Sequence, residues 1–333
     1  MPEKHPWILY SIIVLGMMWL ASVAIYLTRR NAIQSKVWLD IAMLVWPLCL
    51  LDEVIAMING PLTLFYGATD WVPVLLMALY YRALKPVLVA RLSRTRYLLW
   101  LPVLLCVLIQ LPFAFSGIAE KHMIIETTPV GHPLDFWPVY ASAMISGFAV
   151  LVISLLMTEL VQKYHKHLPE QVVTPARYQL HWIAGALGTT VGLTMIGILL
   201  VTAVTFGFLH IVAWQTGLDL VVAAVMLALL YLLTVPQRTS PSVLDYHVME
   251  DAAAGQDDMR RAISRAWRVV SRYPSASLST LTIKEVAEQA QVDATTLAQA
   301  TRLLEKHSFS EFAMACQERS DCERQGVKED QPN

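Results

Sequence analysis

The chain up to Val235 consists mainly of apolar runs long enough to cross a lipid bilayer. A bilayer core needs about 20 mostly apolar residues per helix, and a helix satisfies its own backbone hydrogen bonds there. The composition agrees, because 56% of the 333 residues are hydrophobic and only 15% are charged. The sequence predicts an all-α fold in which residues 1–235 form a seven-helix transmembrane bundle, with spans at 7–28, 37–58, 62–81, 97–117, 136–160, 179–206 and 213–235.

Basic residues in the short loops predict the orientation of this bundle, because Lys and Arg concentrate on the cytoplasmic side. After the first, third and fifth spans lie Arg29, Arg30, Lys36, Arg82, Lys85, Arg91, Arg94, Arg96, Lys163, Lys166 and Arg177. The opposite side carries only Lys4 and Lys121. We therefore expect a multi-pass protein in contact with membrane lipid, with its N-terminus outside and its C-terminus in the cytoplasm.

Several acidic and amide side chains fall in the outer part of the predicted bundle, namely Asp52, Glu53, Asp70, Gln110, Gln215 and Asp219. A carboxylate at the bilayer centre costs about 2.5–3.5 kcal/mol, so such residues usually face the bundle interior and mark a functional site. With no Lys or Arg at that depth, these residues predict an outward-open pocket for a cation, an amine-bearing ligand or protons. The alternative is that they lie at helix ends within reach of water.

Asp52 and Glu53 are adjacent within the apolar stretch LLDEVIAM. Neighbouring residues of a helix cannot both face one partner. We expect Asp52 to point into the pocket, whereas Glu53 either lines the pocket as well or reaches for water. Asp70 is expected near the middle of the third span.

Motifs for catalysis, metal binding or a cofactor are not found in the sequence. There is no HExxH, no GxSxG and no CxxC, and the outer loop at 118–135 carries acids and histidines without metal-ligand spacing. The sequence therefore predicts neither an enzyme nor a metal site, and no cofactor.

The residues beyond Val235 have the composition of a soluble domain, beginning with a predicted linker at 236–256 rich in Pro, Ser, Ala and acids. Apolar positions within 257–273 lie on one face of a helix that ends at Pro274. Thr282 is then a suitable cap for a helix over Ile283 to Gln289. Gln291 to Asp293 form a tight turn, and Asp293 caps a second helix from Ala294 to Lys306. This is helix-turn-helix spacing, in which the second helix enters the major groove of DNA.

Residues 257–318 resemble the first helix-turn-helix of AraC-type transcriptional regulators. The resemblance is carried by Leu281-Thr282, Ala287, Leu297 and the Phe309-Ser310-Glu311-Phe312 sequence. Regulators of this type normally have a second such unit, whereas residues 319–333 are polar and are predicted to be a disordered tail. Thr301 stands where the family commonly has an aromatic residue, and Lys306 where it commonly has Gly.

The resemblance implies a regulator in the bacterial inner membrane that couples an extracytoplasmic or intramembrane signal to DNA binding. Because a single helix-turn-helix unit would need to dimerise, and confinement to a membrane favours this, we expect a homodimer. Thr295, Thr296, Gln299, Arg302 and Lys306 are expected to be exposed on the second helix. Thr296 and Gln299 would contact base edges, and Arg302, Lys306, Arg260 and Arg261 would contact phosphates. One alternative is a membrane sensor whose degenerate helix-turn-helix docks a protein. Another is a transporter with an accessory tail.

Overall fold

The chain is all-helical in the residues that a computed structural model describes, which are 6–33, 36–58, 60–89, 98–127, 129–211, 214–235, 239–240, 255–274 and 278–329. These residues contain no β-strand, and an isolated antiparallel bridge pairs Val172 with Thr282. The predicted all-α class is confirmed. Most of the predicted linker at 236–256 and the end of the tail after Glu329 lie outside the described residues.

The chain divides into two compact units. Unit one comprises Met1–Lys85, Ser93–Glu159 and His181–Pro236. Unit two comprises Pro86–Leu92, Leu160–Leu180 and Gln237–Asn333. The predicted boundary at residue 235 therefore differs from the observed division, because two segments assigned by sequence to the membrane half belong with the C-terminal part.

Unit one is built from helices whose bounds are α1 (Pro6–Arg29), α2 (Lys36–Val45), α3 (Leu51–Ile58), α4 (Val72–Leu88), α5 (Leu101–Ala114), α6 (Ile118–Thr127), α7 (Trp137–His167), α8 (His181–Thr205) and α9 (Trp214–Thr234). A 3₁₀ helix at Trp46–Leu50 joins α2 to α3, so Lys36–Ile58 forms one long helical segment. Helices α4 and α7 contribute their last residues to unit two.

Several of these helices are long and apolar enough to cross a membrane. In the described part of the chain they are Pro6–Arg29, Lys36–Ile58, Trp137–Glu170, His181–Thr205 and Trp214–Thr234. A sixth crossing is possible if Leu98–Ala114 and Ile118–Glu126, which are bent by 103° at the break between them, count as one span. These helices give the chain the character of a multi-pass membrane protein.

The third predicted span, 62–81, is shifted in the structure. Residues Pro61–Phe65 form a 3₁₀ helix, and α4 begins only at Val72 and has 17 residues. Gly67 has a φ of 74°, a left-handed conformation that favours glycine and interrupts the helix. Asp70 therefore lies in the turn before α4, and the prediction that it lies near the middle of a span is wrong.

Helix α9 is held in unit one by buried aromatic side chains of its neighbours. Trp46 is 1% exposed, and its indole nitrogen donates to the carbonyl of Ala223 at 3.0 Å. The hydroxyl of Tyr80 donates to the carbonyl of Met226 at 2.8 Å. Because buried polar groups without partners are costly, these bonds fix α9 relative to the Lys36–Ile58 segment and α4. The acidic residues of those elements are thereby held in one region.

Unit two contains the helices α10 (Gln256–Val270), α11 (Ile283–Ala290), α12 (Ala294–Ala300) and α13 (Phe309–Glu329), with a π-helical stretch at Thr301–Glu305. Helix α13 extends through residues 319–329, so the prediction of a disordered tail is wrong for these residues. Apolar side chains from all four helices form one core, and they include Ala266, Val270, Ile283, Val286, Leu297, Phe309 and Phe312. Val173 is buried in the same core, and Val89 packs against it. The two segments before residue 237 thus complete the core of the C-terminal unit.

Candidate functional sites

Asp52 and Glu53 begin α3 immediately after the 3₁₀ helix Trp46–Leu50. Asp52 is 8% exposed, as expected from its predicted inward direction. Glu53 is 6% exposed and faces the side chain of Thr216 on α9. Of the two alternatives for Glu53, the structure excludes that it reaches for water, because the packing of α9 against α3 also encloses this position of the helix.

The carboxylate of Asp52 is held by the turn that precedes α4. It accepts hydrogen bonds from the backbone nitrogen of Gly67 at 3.0 Å and from the Thr69 hydroxyl at 2.5 Å. A Cβ atom at position 67 would overlap the Phe113 ring, so the close approach also requires glycine. The turn that displaces the start of α4 thus fixes the direction of the Asp52 side chain.

Asp70, at the end of the same turn, is bound to α7. The Ser142 hydroxyl donates to its carboxylate, and the Ser146 hydroxyl donates to its backbone carbonyl at 3.0 Å. Ser142 in turn accepts a bond of 3.4 Å from the amide nitrogen of Gln110, which is 4% exposed. The amide oxygen of Gln110 has no hydrogen-bond partner among the described residues.

A small polar cavity of about 20 Å³ brings five of the six predicted ligand-binding residues together. Its lining includes Asp52, Asp70, Gln110, Gln215 and Asp219. Glu53 does not line this cavity, but it lies close enough to Asp219 to interact with it electrostatically. Residues from α3, α5 and α9 and from the turn before α4 therefore meet at one point inside unit one.

A larger, mainly apolar cavity of about 110 Å³ lies among α7, α8 and α9. It shares Asp70, Val139, Gln215 and Asp219 with the polar cavity. The rest of its lining is dominated by aliphatic residues, among them Val150, Leu193, Ile198, Val201, Leu218, Val222 and Val225. The two cavities therefore meet where Asp70 and Asp219 lie.

Lys121 is a residue of this region that the sequence did not indicate. It is fully buried, and its ammonium group donates to the carbonyls of Leu64 at 2.5 Å and Ala114 at 3.1 Å. The same group lies 5.5 Å from the centre of the Phe113 ring and is close enough to Asp52 to interact with its charge. The expectation of no basic residue at this depth is therefore wrong. In the sequence, the apolar residue Ile124, which is buried with Phe113 and Val139, is the signal that α6 packs on the bundle, but it does not show the bend before α6.

In unit two, α11 and α12 are joined by the turn Gln291–Asp293, and both helices begin at predicted caps. The Thr282 hydroxyl accepts from the backbone of Glu285, whose carboxylate accepts from the backbone of Thr282, which is a capping box. Gln291 ends α11 in the left-handed conformation, with a φ of 54°. Asp293 accepts from the backbone nitrogens of Thr295 at 3.0 Å and Thr296 at 3.1 Å.

These hydrogen bonds act on the ionisation of Asp293. Partial burial alone would raise its pKa, but the bonds from the hydroxyls and backbone nitrogens of Thr295 and Thr296 favour the charged form. The net effect lowers the pKa below its usual value. The cap is therefore ionised at neutral pH, where its charge also suits the N-terminus of α12.

The predicted DNA-binding residues differ in their accessibility. Arg302, Lys306, Arg260 and Arg261 are exposed, and Thr295 and Thr296 are half-buried. Gln299, by contrast, is only 4% exposed, so the prediction that it is exposed is wrong. Helix α12 ends at Ala300 instead of Lys306, and its residues Leu297, Ala298 and Ala300 are part of the core. Because this short helix is enclosed by its neighbours, only its first turn and the π-helical stretch after it are accessible from solvent.

The segment after α7 binds to the helix-turn-helix within unit two. The backbone nitrogen of Ile283 donates to the carbonyl of Gln171 at 2.9 Å, and that of Val173 donates to the carbonyl of Leu281 at 3.4 Å. A carboxylate oxygen of Glu170 lies 4.0 Å from the Arg302 guanidinium. One of the predicted phosphate contacts is therefore already paired with an acid of unit two.

No family model, curated protein or solved structure matches this chain.

Proposed function

We propose that the chain is a membrane-embedded transcriptional regulator, in which the acidic cavity of unit one senses a signal and unit two binds DNA. The observation that carries this proposal is the pair of capped helices α11 and α12 on a chain whose described residues also include five or six membrane-capable helices. The capping box, the left-handed turn residue and the shared apolar core support a helix-turn-helix unit.

The membrane part of the proposal is a seven-span bundle in a bacterial inner membrane, with the N-terminus outside and unit two in the cytoplasm. Helix α4 would supply a further crossing, although its 17 residues are fewer than a bilayer core requires of an upright helix. The basic residues at the ends of α1, α4 and α7 support this orientation.

DNA recognition is assigned to the accessible residues of unit two. Thr295 and Thr296 lie in the first turn of α12, where a recognition helix contacts base edges. Arg302, Lys306, Arg260 and Arg261 would bind phosphates, which supply most of the non-specific affinity. Gln299 is buried and Arg302 is paired with Glu170, so contact of either side chain with DNA would need a rearrangement of unit two.

A homodimer is part of this proposal, because a single helix-turn-helix contacts few base pairs. Confinement of two copies to one membrane raises their effective concentration and favours their joint binding to paired half-sites.

The proposal is tested by measuring the DNA affinity of the full-length protein in lipid nanodiscs over a salt series. We expect log K to fall linearly with log salt. Replacing both Arg260 and Arg261 by Ala should reduce that slope by about one per lost phosphate contact. Arg177→Ala is a matched control, since this exposed arginine is not assigned to DNA. No salt-dependent binding at low ionic strength would contradict the proposal.

A second candidate function is the docking of a protein partner by unit two, which the burial of Gln299 favours. A groove of about 870 Å³ lies between α10, the π-helical stretch and α13, and Trp267, Leu304 and Phe312 contribute its apolar lining. In the nanodisc experiment this function predicts no DNA binding by the wild type. It also predicts that the double arginine variant behaves like the wild type.

A further inference from the structure

We propose that the two adjoining cavities of unit one form a single site for a compact organic amine. The ammonium group would lie against Asp70 and Asp219, and the apolar body would lie among α7, α8 and α9. This inference rests on the proposed function only in treating the cavities as the sensing site. It adds the chemical class of the ligand, which must be both cationic and partly apolar.

The polar cavity has more hydrogen-bond acceptors than donors. No donor among the described residues binds the carboxylate of Asp219, and the buried amide oxygen of Gln110 likewise lacks a donor. The ammonium group of Lys121 donates to two backbone carbonyls, so it does not fill this need. An ammonium ligand supplies three N–H donors and a positive charge, which are the two things that the cavity lacks.

The charge of the region points in the same direction. Asp52, Glu53, Asp70 and Asp219 lie close enough to interact electrostatically with one another, and Lys121 is the basic residue found near them in the described part of unit one. Buried like charges repel strongly unless a partner compensates them. A bound cation provides that compensation.

The apolar cavity sets the size of the ligand. A cavity of about 150 Å³ lined by aliphatic and aromatic residues binds benzene. The cavity of about 110 Å³ in unit one is somewhat smaller. By this comparison it accommodates an apolar group of about four or five carbon atoms. The aliphatic lining distinguishes such a ligand from a metal ion, which requires a shell of oxygen ligands on every side.

The probe that tests this inference is n-butylamine, measured by equilibrium dialysis against the full-length protein in nanodiscs, with empty nanodiscs as background. We expect n-butylamine to bind saturably. An excess of n-butanol or butyrate should not displace it, because neither compound carries a positive charge. Methylamine should bind more weakly, because it leaves the apolar cavity unfilled. Separate Asp219→Asn and Asp70→Asn variants should each weaken binding by at least about tenfold.

Two substitutions on α9 distinguish a direct effect on the binding site from a general effect on folding. Val222→Phe places a larger side chain in the apolar cavity and should weaken the binding of n-butylamine by about tenfold while sparing methylamine. Ala224→Phe on the exposed face of the same helix should leave both affinities unchanged. The thermal unfolding of each variant is measured in parallel, as a control that the bundle remains folded.

Equal binding of n-butanol and n-butylamine would overturn the inference, as would wild-type binding by Asp219→Asn and Val222→Phe. Because ligand binding is read directly, its failure leaves DNA binding by unit two intact. Conversely, absence of DNA binding would contradict the proposed function without affecting the dialysis result.

Discussion

At the scale of single residues, Asp293 links the sequence of unit two to its fold most directly. Its carboxylate caps α12 through two backbone nitrogens that the helix itself cannot satisfy. The residue also follows the left-handed Gln291, so the turn is defined over only three positions. Loss of this cap should loosen the start of α12 without altering the remote core.

We predict that Asp293→Ala destabilises the first turn of α12 by about 1 kcal/mol. Hydrogen exchange of the full-length protein should show about fivefold faster exchange at Thr295 and Thr296 if opening is local. Asp293→Asn is the matched control, because asparagine is also a good cap, and it should change exchange much less. Unchanged exchange in the alanine variant would contradict the role given to this cap.

The pH dependence of the same cap follows from its lowered pKa. Because the folded-state pKa lies below that of the unfolded chain, the stabilisation is fully present above about pH 4. It is lost as the pH falls through the folded-state pKa. Asp293→Asn removes this titratable carboxyl group. In the variant, acid should therefore cause a smaller loss of protection from hydrogen exchange at Thr295 and Thr296 than in the wild type.

Some residues of the candidate site were predictable from the sequence, and others were not. A carboxylate inside an apolar run has few explanations, which is why Asp52 was placed inward. Lys121 was assigned to the outer loop at 118–135, because its neighbours in the sequence do not show that α5 and α6 are bent by 103° relative to each other. The burial of Glu53 depends on the packing of α9, which is remote in sequence.

At the scale of elements, the apolar runs predicted where most helices lie but not where they break. Trp46–Leu50 and the turn around Gly67 interrupt segments that hydropathy shows as continuous. The packing of the segment after α7 in the core of unit two was not predicted from the sequence. The bridge from this segment to Thr282 joins residues far apart in the chain, and a β-bridge of two residues leaves no periodic pattern.

We predict that Val173→Ala destabilises unit two by about 2 kcal/mol, because it removes two buried carbons from the core that α10–α13 share. Hydrogen exchange of α11 in the full-length protein should become correspondingly faster. Arg177→Ala, an exposed change in the same segment, should leave α11 unaffected. Equal protection of α11 in both variants would show that the segment does not stabilise the helix-turn-helix.

At the scale of the whole molecule, the proposed seven-span regulator has its two chain termini on opposite sides of the membrane. We predict that a membrane-impermeant reagent labels a tag at the N-terminal end of the chain in intact cells. A tag after Asn333 should be labelled only after the membrane is permeabilised. Labelling of both tags in intact cells would contradict the orientation inferred from the basic residues.

The proposed function requires that unit one controls DNA binding by unit two, and a binding measurement tests this coupling. It compares the DNA affinity of wild-type protein and Asp219→Asn in the same nanodiscs, with Glu126→Gln as an exposed control. Neutralising Asp219 mimics the charge compensation that a bound amine would provide. If this shifts unit two away from the conformation that buries Gln299, DNA affinity should rise by at least about fivefold, the lower end of typical allosteric couplings. Equal affinities for the wild type and Asp219→Asn would contradict the account.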